Sequence, residues 1–268
     1  MTKATMHDGS ELDIEIVGEG PFLLIPVNPT PAEGEAAKEM RKWGADPALG
    51  RSLIEGLKDI VTVVAFDYEG HVLAAPKPDT LTPSNISSDV LAVANAAGAD
   101  TFAYYGYSWL ALAGLQLAIR TDRLTALVMG GFPPLDGPYA EMLDVTAATY
   151  RMAAEPGPTP PPSFHLVAEA GDWSTVEFSM PEPQARQFLA LYQSLEDFDD
   201  RRVLSQLDCP RLCFAGSKTR SSMTSGGETL KWTSQGRSKP IAASSKRPTG
   251  RCVCSRGWIT PRPCNPTT

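Results

Sequence analysis

The segment from Thr101 to Arg120 constrains the fold more than any other part of the chain. Thr101-Phe102-Ala103-Tyr104 is a short apolar run, Tyr105-Gly106-Tyr107-Ser108 follows it, and Trp109 to Ile119 is rich in Leu and Ala. Such a run followed by a longer apolar segment predicts a strand, a sharp turn and a helix, with a serine at the apex. A hydroxyl placed there stands above a sheet edge, at the positive end of a helix. The turn is too tight for bulky neighbours, so small residues are wanted two before and two after the serine. Gly106 meets the first requirement; Leu110 departs from the second.

A Gly-x-Ser pattern alone also fits an ordinary loop serine, and the strand and helix around it are the context that gives it chemical meaning. With that context, the segment resembles the nucleophile elbow of the α/β-hydrolase family. The resemblance implies an α/β fold: a mainly parallel sheet flanked by helices, with a small helical cap. It makes Ser108 the nucleophile and gives one oxyanion N–H to Trp109, the residue after it. The second N–H comes in this family from the loop after an earlier strand. Phe22 to Val27 is the apolar run that fits that strand, and Asn28-Pro29-Thr30-Pro31 cannot continue it because proline lacks the donor. Asn28 is thus assigned by position, without the His-Gly pair that often precedes it.

The rest of the pattern alternates in the same way. Leu12–Val17 and Ile60–Phe66 read as strands, and Ala48–Leu57 and Ser87–Ala97 as helices, the second closed by Gly98. Asp67-Tyr68-Glu69-Gly70-His71 partly matches the family turn D-x-R-G-H-G, with Glu69 in place of arginine. His71 is expected to be structural there. Leu124–Met129 is the strand after the elbow helix, and it leads into Gly130–Gly137. Asp136 in that loop stands where some family members place the acid, which makes it the runner-up for that role. Helices are expected over 138–207, with Gln184–Leu195 the clearest and a proline-rich break at Pro156–Pro162. The resemblance makes this region a cap, to whose lining Phe164, Trp173, Phe178 and Tyr192 are candidates. His165 reads as structural or exposed. Cys209–Ser217 reads as the next core strand. The expected division is a core over 1–137, the cap over 138–207, a core strand over 208–218 and a tail over 219–268.

The tail breaks the pattern. Net charge is −7, but residues 219–268 hold nine Lys and Arg against Glu228 alone. They show no apolar periodicity. A basic tail can bind nucleic acid, yet Trp232 and Trp258 are the only aromatics in it, so no nucleic-acid partner is expected. Cys252, Cys254 and Cys264 lack a C-x-x-C spacing and any histidine beside them, so no metal site is expected. Restoring one base after the codon of Lys218 converts the tail, with permitted third bases, into an amphipathic helix, a V-R-V-L strand and an L-D-H ending. An acid then falls at the position written Thr219 and a histidine at the position written Thr260. The expectation is a frameshifted tail, with the C-terminal strand and helices of the fold missing or non-native.

No run of about 18 apolar residues suits a membrane span, and Met1–Asp13 lacks a basic flank followed by an apolar stretch. A cytoplasmic protein with no membrane partner and no cofactor is expected. The resemblance implies a serine hydrolase acting on a small ester or related acyl compound. A cofactor-free haloperoxidase or lactonase shares the same triad, and a hydrolase-fold pseudoenzyme or binding protein is the alternative from another class. Epoxide hydrolases and dehalogenases carry Asp at the elbow, so Ser108 disfavours them.

Overall fold

The computed structural model describes residues 2–42, 44–155 and 180–215, and beyond them the backbone of four short strands. The strands are β1 (Thr2–Thr5), β2 (Glu11–Val17), β3 (Phe22–Ile25), β4 (Thr62–Ala65), β5 (Phe102–Tyr107), β6 (Leu124–Gly130) and β7 (Arg211–Phe214). They are followed by β8 (Arg220–Ser225), β9 (Glu228–Thr233), β10 (Val253–Cys254) and β11 (Trp258–Ile259). The helices are α1 (Gly34–Lys42), α2 (Leu49–Leu57), α3 (Tyr68–Ala74), α4 (Pro83–Ala96), α5 (Trp109–Ala118), α6 (Tyr139–Ala154), α7 (Glu182–Gln193) and α8 (Asp200–Val203).

The main sheet runs β1-β2-β4-β3-β5-β6-β7-β11-β10, and β8 and β9 form a separate antiparallel pair. From β4 through β3, β5, β6 and β7 to β11 every pairing is parallel, whereas β1, β2 and β10 join antiparallel. This is the mainly parallel, helix-flanked sheet expected from the alternating pattern.

Side chains leave a strand alternately to its two faces, and the two faces are covered unequally. On one, Leu24, Val64, Phe102, Tyr104, Leu127 and Met129 are buried in the core with residues of α4 and α5. On the other, Ile25, Val63 and Ala65 pack on Ile54 of α2. Over β5 to β7 this second face is thinner. Tyr105, Val128 and Leu212 stand in register across the three strands and are only half-buried. Beside them Tyr107 is exposed and Phe214 half-buried.

Several elements differ from expectation for visible reasons. The polar start of the chain forms β1, an edge strand in which only Ala4 is buried, so no apolar alternation announces it. The segment after β4 is the first turn of a helix, because the Asp67 side chain caps it by accepting from Gly70 N–H at 2.9 Å. Helix α4 begins a turn earlier than its apolar pattern, with Thr82 as N-cap and Pro83 in its first turn, where a missing N–H costs nothing. Its closing Gly98 has φ +71° as expected. Helix α7 starts at Glu182 rather than Gln184.

Candidate active site

Strands β3, β4, β5, β6 and β7 all end at one edge of the sheet, and the loops leaving that edge carry most of the anticipated residues. Ser108 sits between β5 and α5 with φ 56° and ψ −130°. Positive φ is costly for a residue with a Cβ, of order 1–3 kcal/mol, and persists only where surrounding structure imposes it. Here the imposing contacts are local. Ser108 N–H donates to Gly130 O at 2.8 Å, and Ala111 N–H donates to Ser108 O at 2.9 Å. A Cβ on Gly106 would lie 2.2 Å from Leu110 O, so the approach of the helix start to the strand end admits only glycine there. Leu110 is tolerated because its carbonyl, not its side chain, faces Gly106. Its side chain is buried in the core, and its carbonyl accepts from Tyr104 Oη at 3.1 Å.

Ser108 is exposed, and its hydroxyl has no hydrogen-bonding partner among the described residues. Trp109 is the first residue of α5, where a backbone N–H has no acceptor within the helix. In the loop after β3, Val27 N–H is taken by Ile25 O at 2.8 Å, while Asn28 N–H has no acceptor among the described residues. The two anticipated oxyanion donors thus follow the ends of adjacent parallel strands, β5 and β3.

The Asn28 loop is held from two sides. Asn28 Nδ2 donates to Asp67 Oδ2 at 2.8 Å, and Thr30 N–H donates to Asn28 Oδ1 at 2.8 Å. From below, a Cβ on Gly50 would lie 2.0 Å from Asn28 O, so α2 presses bare backbone against the loop. Asp67 therefore serves both as cap of α3 and as anchor for the loop.

Trp109 is fixed as firmly. Its Nε1 donates to Glu69 Oε1 at 2.8 Å, and its ring meets Phe188 of α7 edge-on at 5.4 Å and Tyr68 at 6.1 Å. The residue that departs from the family turn, Glu69, is the one that binds the indole. Helix α7 is docked on α3 by Gln187, which is fully buried. Its side chain accepts from Lys77 N–H at 2.9 Å and donates to Val72 O at 3.0 Å.

Asp136 lies in the loop after β6 with φ 52°, exposed, and its carboxylate is engaged by the Arg201 guanidinium, Nε donating at 2.6 Å. Among the described residues it meets no imidazole. His71 Nε2 lies 3.0 Å from Ser10 Oγ. Burial, and then the nearby Lys77 charge, hold its pKa below the ordinary imidazole value. Tyr192 is buried in the core and contributes packing. His165, Phe164, Trp173, Phe178 and the positions written Thr219 and Thr260 lie outside the described residues. A cavity of about 510 Å³ is lined by Ala118–Asp122 and Gln206–Cys209. It lies at the opposite edge of the sheet, away from Ser108. Among the described residues no cluster of His, Cys, Asp and Glu could hold a metal, and no helix is long and apolar enough to cross a membrane.

No family model matches the chain, and no curated protein matches it. Solved structures do. A hydrolase from Pseudomonas aeruginosa PA01 is 20% identical over 81% of this chain and 80% of its own, with a TM-score of 0.51. A thermophilic esterase from Thermogutta terrifontis is 20% identical over 80% and 79%, with a TM-score of 0.51. The enol-lactonase from Burkholderia xenovorans LB400 is 19% identical over 80% and 81%, with a TM-score of 0.50. At these identities the likeness is one of fold.

Proposed function

We propose that this chain, which has the α/β-hydrolase fold, is built as a serine hydrolase for a small ester or related acyl compound, with Ser108 as nucleophile. The observation that carries the reading is the backbone of Ser108: an exposed serine held at positive φ where a parallel strand turns into a helix. In this reading Ser108 Oγ attacks the acyl carbon and forms an acyl-enzyme. The backbone N–H groups of Trp109 and Asn28 receive the developing oxyanion, each worth about 3 kcal/mol. A histidine takes the serine proton, and an acid holds that imidazole in the right tautomer. The same reading makes residues 219–268 the product of a slipped frame, with the acid and base lost at the positions written Thr219 and Thr260. The substrate is the only partner it requires, and the cytoplasm is the location it implies.

A second reading makes the chain a hydrolase-fold binding protein. It is favoured by the fact that neither described histidine reaches Ser108: His7 and His71 are bonded to Asp89 and Ser10. A fluorophosphonate probe separates the two when applied to the chain as written, to a chain with the frame restored, and to their S108A variants. Labelling of the restored chain that disappears in S108A supports the hydrolase. A silent restored chain leaves the binding protein. Sequencing the gene across codon 218 tests the frame itself.

A further inference from the structure

His7, at the tip of the β1–β2 hairpin, stands between Asp89 of α4 and Thr80 of the loop before that helix, which puts a second hydroxyl, imidazole and carboxylate in line. His7 Nδ1 lies 2.9 Å from Asp89 Oδ2, and His7 Nε2 lies 3.1 Å from Thr80 Oγ1. Asp89 is fully buried, the His7 side chain is 11% exposed, and Thr80 is open to solvent. We propose that Thr80 is a nucleophilic hydroxyl served by His7 and Asp89, able to take an acyl group from a small activated ester.

The hydrogen-bonding pattern assigns the roles. Asp89 also accepts His7 N–H at 2.5 Å and Tyr68 Oη at 2.7 Å. Burial, followed by the Asp89 charge, raises the Tyr68 pKa well above that of a free phenol, so Tyr68 remains a donor. A carboxylate that only accepts obliges His7 Nδ1 to carry the proton. With Nδ1 on the carboxylate, Nε2 is the ring nitrogen that faces the Thr80 hydroxyl, the relation in which a base activates an alcohol. The backbone that carries the hydroxyl is also held in place. Thr80 N–H donates to Lys77 O at 3.1 Å, and Asn85 Nδ2 donates to Thr80 O at 2.9 Å.

The step is an ordinary acyl transfer. A bond forms between Thr80 Oγ1 and the acyl carbon, the bond from that carbon to the aryl oxygen breaks, and the aryl oxide leaves. The Thr80 proton passes to His7 Nε2. The nearest N–H groups in the chain offer it no oxyanion donor, since those of Thr80, Leu81 and Thr82 are bonded to Lys77 O, Lys77 O and Thr80 O. Without such donors deacylation is slow, and one acyl group accumulates per chain.

The test uses the full chain carrying S108A, so that the outcome is independent of the elbow. It is treated with p-nitrophenyl acetate, and acetylated peptides are followed by mass spectrometry. One acetyl group on Thr80 is expected, absent in Thr80→Val and retained in Thr80→Ser. His7→Gln should slow its formation about 100-fold, the usual scale of a general base. Circular dichroism of the valine variant, changed only at an exposed side chain, verifies the fold. An S108A chain with no acetyl group on Thr80, or a rate unaltered by His7→Gln, overturns the proposal.

Discussion

The indole nitrogen of Trp109 donates to Glu69 Oε1 across 2.8 Å, tying the first residue of the elbow helix to helix α3. The same indole meets Phe188 of α7 edge-on. Glu69→Gln keeps an acceptor for the indole and should leave probe labelling of Ser108 in the frame-restored chain within about 2-fold. Glu69→Ala removes it at an exposed site, a loss of about 1 kcal/mol, and should slow labelling about 5-fold with a red shift of tryptophan emission.

Gly106→Ala should be far more damaging. Its methyl group would lie 2.2 Å from Leu110 O and 2.6 Å from the carbonyl carbon, both backbone atoms of the elbow helix. A loss of roughly 2–4 kcal/mol is expected from overpacking and displaced backbone. Urea denaturation should show a lowered midpoint with an unchanged slope.

Acid should loosen the hairpin in two stages. The His71 pKa is lowered from 6.5, by burial and then by Lys77, so the unfolded chain takes its proton first. Stability from this group is full above pH 6.5 and declines as pH falls from there through the folded value. Asp8 is the second. Burial resists its ionisation, but hydrogen bonds from Lys77 and Ser10 outweigh that and lower its pKa from 3.8. Its contribution is present above 3.8 and is lost on further acidification. Melting temperature against pH should show both limbs. His71→Gln should flatten the upper one and Asp8→Asn the lower.

The half-buried ladder of Tyr105, Val128 and Leu212 should make the chain as written bind an apolar dye such as ANS in its native state. A frame-restored chain, supplied with the helix that its reading encodes, should bind less. Equal dye fluorescence from the two would count against the slipped frame. In the same pair, the proposed loss of a triad base should lower ester turnover of the written chain by a factor on the order of 10⁴–10⁶.

The sheet was legible because β3 and β4 read as nearly continuous apolar runs and β4 is buried along its whole length, and the elbow because Gly106 and Ser108 fall at a change of period. What escaped was carried by single polar contacts. β1 buries one side chain and has no pattern to read. The start of α3 depends on the Asp67 carboxylate reaching Gly70 N–H, a bond that D-Y-E-G does not distinguish from a turn. Glu69 was noticed only as a departure from the family turn, since its partner Trp109 lies forty residues away. The alignment of Thr80, His7 and Asp89 joins three elements and has no local signature. Asp136 looked like an acid by position, and Arg201, sixty-five residues on, claims it.

The two bonds of Gln187 also bear on how readily helix α7 can part from α3. Both partners, Lys77 N–H and Val72 O, belong to the backbone, and the amide between them is sealed from solvent. Swinging α7 away from α3 would strand these groups at roughly 1–3 kcal/mol each. A molecule with α7 lifted is then a rare species, a few per cent of the population at most. The edge-on contact of Phe188 with Trp109 travels with that helix, so the indole at the start of α5 keeps one packing arrangement rather than choosing among several.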